Sequence, residues 1–265
     1  MMDESTKSIQ DYYDAGVAVE WNRIADRPEF LLTCRMLDRY IKSGDKVLDI
    51  GGGPGRYSFY LAGKSCDVTL FDLSPENVKF AVQQAAEQGV ALHTAAGDAR
   101  DVDKLIDDQF DHVLLMGPLY HLLEESDRSK AVNAAIKLLK PGGIIFVSFI
   151  NLYSRMVYGM KIDPDFVCSH FGKDYINALV DDKSFKGDLF FFAKQNEILP
   201  FMAQFPLEKL HLFGQEAITS PCENNIMAQP KEIVDLWLDL CEKIWEREDL
   251  LSWSEHLMYV GRKKG

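Results

Sequence analysis

The stretch VLDIGGGPGRYSFYLA, residues 47–62, runs from an apolar segment through a cluster of glycines into a segment with helical spacing. Strand, glycine turn and helix in that order let the backbone approach a ligand at the carboxyl end of the strand, as in nucleotide-binding α/β units. The spacing of the glycines narrows the ligand. A dinucleotide cradle uses G-x-G-x-x-G/A, in which the third small residue lets the helix pack closely on its strand. Counting from Gly51, the second glycine is Gly53, but Arg56 stands at the third position. Glycines fall instead at 51, 53 and 55, and Pro54 removes one amide N–H from the place where a pyrophosphate would be held. A ligand without phosphate fits this turn better.

Working outward, apolar runs rich in β-branched residues alternate with helix-period segments, the pattern of a parallel sheet covered by helices. Strands are expected at Lys46–Ile50, Val68–Phe71, Ala91–Ala95, His112–Met116, Ile144–Ile150, Leu207–Phe213 and His256–Arg262. Helices are expected near Pro28–Ile41, Arg56–Gly63, Pro75–Gln88, Ser126–Leu139 and Lys231–Arg247. Ser74 can cap a helix that begins with Pro75, and Pro141-Gly142-Gly143 is expected to end a helix and turn the chain into the next strand. The order suits a seven-stranded, mostly parallel, doubly wound sheet whose last strand is antiparallel.

Two acidic residues extend the reading of the ligand. Asp72, in VTLFDLSPENV, lies 21 residues after Gly51, at the end of the second strand, where a carboxylate accepts both hydroxyls of a ribose. After the third strand comes AAGDARD, where Asp98 is placed to accept from an exocyclic adenine amine while the Ala99 N–H meets a ring nitrogen. Asp49, at the end of the first strand, either organises the glycine loop or approaches a ligand's ammonium.

The formal net charge of −12 argues against nucleic acid as partner, because such binding depends on Lys and Arg neutralising phosphates. The start MMDESTKSIQDYYD is polar and acidic, and no apolar run reaches bilayer-spanning length, so a cytoplasmic protein without a membrane partner is expected. The five cysteines are scattered and form no CxxC pair, which suggests neither a disulfide framework nor a metal site. Cys168 and His170, close together as CSH, read as incidental for want of a second ligand pair.

Together these residues resemble the class I S-adenosylmethionine-dependent methyltransferases. VLDIGGGPG corresponds to that family's first motif, Asp72 to its ribose acid, Asp98 to its adenine-edge acid, and FDHVLLMGPLYHL to its fourth strand. The run GPLYHL and the ending EHLMYVGRK resemble a bacterial group that acts on small molecules. The resemblance implies one domain with four parts. These are an N-terminal helical cap (1–44), a cofactor-binding core (45–150), an insertion or lid between strands five and six (151–206), and the remainder of the sheet (207–265). It implies S-adenosylmethionine as cofactor, held by Asp49, Gly51, Gly52, Gly53, Gly55, Asp72, Leu73, Asp98, Ala99 and Met116. From the segment DYYDAGVAVEWNRIADRPEF it adds Tyr13 to close the site and Arg23 to hold the methionine carboxylate, with an amphipathic helix packed on the sheet edge as the alternative.

The acceptor is expected to be a small molecule. A nucleic-acid amine would call for a polar residue where the chain has Met116-Gly117-Pro118-Leu119-Tyr120. His121, just beyond the fourth strand, is the candidate general base, with a packing role beside Leu122 and Leu123 as the alternative. A non-catalytic S-adenosylmethionine-binding module remains the rival function. Residues 151–206, rich in aromatics and longer than a crossover requires, are expected to form a lid or substrate wall over the acceptor, with residues 160–190 as a mobile cover and a small satellite core as the alternative.

Overall fold

The computed structural model describes residues 4–265. Its strands are β1 (Lys46–Ile50), β2 (Asp67–Asp72), β3 (His93–Ala96), β4 (Phe110–Leu115), β5 (Leu139–Asn151), β6 (Phe185–Lys186), β7 (Phe191–Ala193), β8 (Leu207–Gly214) and β9 (His256–Lys263). β3, β2, β1, β4 and β5 lie side by side in that order, all parallel. β9 pairs antiparallel with both β5 and β8, so β8 forms the far edge. The seven expected strands are therefore all present, and the last is antiparallel. Two strands were not expected: the short β6–β7 hairpin comes from the insertion and joins the tip of β5 through Ile150↔Phe192 and Asn151↔Ala193.

Alternation along the central strands explains why they read as unbroken apolar runs. Leu48 and Ile50 enter one core layer and Val47 the other; in β5, Ile145, Val147 and Phe149 face opposite to Ile144 and Phe146. Both faces are covered by helices, so neither can be polar. The Pro141-Gly142-Gly143 expectation needs a correction. The preceding helix, Glu125–Leu138, has already ended, and the Pro-Gly-Gly instead forms a bulge inside β5, since Phe110 pairs with Leu139 and His112 with Ile144. Gly142, at φ +77°, takes the left-handed turn of that bulge.

Four helices frame the carboxyl edge: α1 (Glu4–Arg23), α2 (Pro28–Tyr40), α3 (Arg56–Ala62) and α4 (Pro75–Gln88). α4 starts as expected, with the Ser74 hydroxyl accepting from the Asn77 N–H at 3.0 Å. α1 crosses above the sheet edge and is tied down along its length. Arg100 donates to Thr6 at 2.7 Å, Ser74 to Asp14, and Arg56 to the Trp21 carbonyl, with the Arg56 guanidinium 3.7 Å over the Trp21 ring. Arg56, which breaks the dinucleotide pattern, is thus one of the residues that pin α1 over the glycine turn.

Within the insertion, Leu152, Phe166, Tyr175 and Phe192 form a small core of their own with Ile150 of β5. Phe171, Phe185 and Phe190 pack against this core, and Tyr158, Phe171, Phe190 and Phe192 also line a cavity.

Candidate active site

The glycine turn sits where the strand order reverses, between β1 and β4, the place where open α/β sheets bind ligands. Its shape is set by close approach. Gly51 has φ +73°, and a Cβ on Gly52 would lie 2.7 Å from Asp49 Oδ2, so any side chain there would collide with the carboxylate beneath the loop. The Gly53 N–H donates to Asp72 Oδ2 at 2.8 Å, while Asp72 Oδ1 accepts from the Ser74 N–H at 2.8 Å and from Asn77 Nδ2 at 3.1 Å. The second strand's acid therefore braces the first strand's turn.

Above this turn lies a cavity of about 130 Å³. It is lined by Asp49, Gly51, Gly52, Gly53, Asp72 and Leu73 from the first two strands and their turns, and by Asp98, Ala99 and Met116 beyond β3 and β4. Tyr13, Arg23 and His121 complete the wall, so of the expected residues only Gly55 lies off it; Gly55, at φ +101°, starts α3. Asp98 is at the wall but its carboxylate is held by Arg100, with NH2 2.6 Å from Oδ2, and Arg100 reaches on to Asp127 at 3.1 Å.

Asp49 is 2% exposed and accepts from Ser58 Oγ at 2.7 Å. Burial, with Asp72 nearby, pushes its carboxyl up to about 7. Burial also raises Asp72. Among the described residues no Lys, Arg or His forms an ion pair with either, so the cavity carries buried acidity that a cationic ligand would neutralise.

His121 is bonded at both ring nitrogens. Nδ1 lies 2.9 Å from the Leu189 carbonyl and must donate to it, which leaves Nε2 to accept from the Tyr13 hydroxyl at 2.6 Å. One imidazole thereby joins α1, the turn after β4 and the insertion. Burial lowers its pKa to about 4, so it stays neutral at physiological pH, and its remaining lone pair is already taken.

The lowered His121 value has a consequence for stability. The unfolded chain binds this proton near pH 6.5 and the folded chain only near 4, so stability is intact above about 6.5 and is lost as pH falls toward 4. The loss from this group is on the order of 3 kcal/mol. His121→Gln should therefore flatten the acid limb of a urea-melt series between pH 4 and 6.5, while an unchanged limb would remove His121 as its source.

Three further residues converge at the same rim without having been expected. His256 opens β9 beside Ile150; Glu216 follows β8; Glu29 lies in the first turn of α2. Glu216 accepts from His256 Nδ1 at 2.6 Å, from the His256 backbone N–H at 3.0 Å and from Ser254 Oγ at 2.5 Å. Glu29 comes within 4.0 Å of the same Nδ1 and is paired with Arg23 NH1 at 3.0 Å; Arg23 also bonds Glu20. Burial alone would lower His256, but Glu216 and Glu29 outweigh it and hold the imidazole up at about 9. His256 faces both the cavity described above and a second, wider one, lined by Tyr12, Tyr158, Phe171, Phe190, Phe192 and Lys161 among others.

Comparison with known proteins agrees with this geometry. A methyltransferase domain family matches residues 47–143. The chain is 29% identical over 171 residues to a ubiquinone biosynthesis O-methyltransferase of Erwinia tasmaniensis, covering 64% of this chain and 65% of that protein. It is 30% identical over 154 residues to a glycine/sarcosine N-methyltransferase of Parasynechococcus marenigrum, covering 57% of this chain and 53% of that protein. The matched segments thus span less than two thirds of these relatives. The fold matches that of the N-methyltransferase NodS from Bradyrhizobium japonicum in complex with S-adenosyl-L-homocysteine, with a TM-score of 0.58 at 14% identity, covering 99% of this chain and 100% of that one. The glycine turn, the strand order and the domain match thus agree: residues 47–143 match a methyltransferase domain, and the chain has the fold of S-adenosylmethionine-dependent methyltransferases.

Proposed function

We propose that this protein transfers the methyl group of S-adenosylmethionine to a small molecule. The observation that carries this reading is the pair of buried carboxylates, Asp49 and Asp72, beneath a glycine turn and without a protein cation between them. A ligand with a sulfonium and an ammonium supplies the missing positive charge, whereas NAD brings a pyrophosphate that the same carboxylates would repel. Asp72 would meet the ribose, Asp98 and Ala99 the adenine edge, and Arg23 the methionine carboxylate. Bound there, the cofactor supplies an activated methyl group. The protein's own contribution is to align the acceptor and keep water out, through α1, Tyr13 and the aromatic face of the insertion.

The relatives are, by their names, a ubiquinone biosynthesis O-methyltransferase and a glycine/sarcosine N-methyltransferase, which supports a small acceptor. The acidic balance and the Met116–Tyr120 slot support the same reading over a nucleic-acid substrate. No helix among the described residues is long and apolar enough to cross a membrane, and we read the protein as cytoplasmic.

The test is calorimetry with S-adenosylmethionine, S-adenosylhomocysteine and NAD, followed by incubation of metabolite extracts with methyl-labelled cofactor. Expected are micromolar binding of the first two, no measurable binding of NAD, and a labelled small-molecule product. Tighter binding of NAD would overturn the cofactor assignment. Cofactor binding with no labelled product in any extract would favour a non-catalytic binding module.

A further inference from the structure

We infer that His256, held by Glu216, is the group that takes the proton from the methyl acceptor, and that the acceptor is one that arrives still carrying its proton, such as a hydroxyl. The inference rests on the methyltransferase reading and adds a residue to it. Glu216 grips both the backbone N–H and Nδ1 of His256, so the ring cannot turn, and Nε2 has no protein partner among the described residues. The ring stands at the boundary of the two cavities, in the wall that the cofactor chamber and the aromatic chamber share with Tyr13, Arg23, Glu29 and Tyr120. A nucleophile lying against Tyr120, Phe190 and Phe192 is therefore beside this imidazole. His121 is not a comparable candidate, because both of its nitrogens are already bonded.

The charges around the ring account for how a histidine that rests protonated becomes a base. The groups facing it are Glu216 after β8, Glu255 beside it in sequence, Glu29 of α2, Arg23 of α1, Lys161 of the insertion and Tyr120 after β4. In the free protein this set retains one proton on His256. A sulfonium in the adjoining chamber adds a positive charge, which disfavours the imidazolium and raises about tenfold the neutral fraction that can accept a proton. During transfer the acceptor's X–H proton goes to His256 Nε2 as its lone pair forms the bond to the methyl carbon, and the electron pair of the broken C–S bond stays on sulfur. One positive charge thus passes from sulfur to imidazole. The site holds the same net charge before and after, in surroundings already built for it.

The test needs no acceptor. Protein with ¹⁵N-labelled histidine is titrated by NMR, with His256 assigned through His256→Gln, in the free state, with S-adenosylhomocysteine and with S-adenosylmethionine. A unit charge in the adjoining chamber should lower the His256 pKa by about one unit. The expected result is a value near 9 in the free protein, a similar one with the neutral-sulfur ligand, and one about a unit lower with the sulfonium ligand. Glu216→Gln should lower the value in every state. Equal His256 titrations with both ligands bound would overturn the proton role while leaving the methyltransferase reading intact. Failure of both ligands to bind in calorimetry would overturn the reading and this inference together.

Discussion

Replacing Asp72 with Ala is expected to weaken S-adenosylhomocysteine binding by about a hundredfold or more, or close to 3 kcal/mol. Asp72 is 6% exposed and already accepts three hydrogen bonds, from Gly53, Ser74 and Asn77. Truncation removes a charged acceptor from the ribose, a contribution of about 1.5–3 kcal/mol per bond. It also leaves the Gly53 N–H without its partner, so the turn that shapes the cavity loses its brace. The two effects are separable. Asp72→Asn retains an oxygen for the Gly53 or Ser74 N–H but has no charge, and should fall between wild type and Ala in affinity while losing less thermal stability. Calorimetry and melting curves on the three proteins decide the matter. An Ala variant that binds as tightly as the parent would remove Asp72 from the cofactor site.

The residues that the sequence revealed are those whose role is written locally. The glycine turn, Asp72 and Ser74 each act within a few positions of the strand that carries them, so spacing alone places them. The central strands were legible because both of their faces are covered, which leaves no polar interruption in the run. His256, Glu216 and Glu29 were not legible. They come from three segments hundreds of positions apart at the extreme, and only the reversal that inserts β9 between β5 and β8 brings them together. A histidine opening a strand and a glutamate after one carry no signal of their own.

Asp98 shows an intermediate case. Its place at the end of β3 was readable, but the Arg100 guanidinium that holds its carboxylate was not, although it lies two positions away, because side-chain direction is not encoded in spacing. The β6–β7 hairpin escaped for a simpler reason: strands of two and three residues are too short for any alternation to register.

Tyr175→Ala is expected to unfold the insertion while leaving the sheet and its cofactor site in place. Tyr175 is 0% exposed and is the hub of the insertion's core, with ring centroids 5.6 Å from Phe185, 5.9 Å from Phe192 and 6.1 Å from Phe166. Its hydroxyl donates to the Leu152 carbonyl and accepts from the Met156 N–H at 3.2 Å, so it also fastens this segment to the chain leaving β5. Cutting an aromatic ring of this kind to Ala costs about 3–5 kcal/mol. Five buried residues form this core, and its backbone pairing to the sheet is limited to two residue pairs on β5, so the loss has nowhere to be shared. Hydrogen exchange should then show protection lost across residues 154–193 and kept in β1, β2 and β4, with S-adenosylhomocysteine affinity changed by no more than a few fold. Methyl transfer should be abolished, since Tyr158, Phe171, Phe190 and Phe192 line the second cavity and Leu189 supplies the carbonyl that orients His121. Tyr175→Phe, which keeps the ring and drops only the hydroxyl's bonds, should lose about 1–3 kcal/mol and retain the cover. If the Ala variant instead melts as a whole and releases the cofactor, the insertion is part of the sheet's own core, and a separable cover over the acceptor is ruled out.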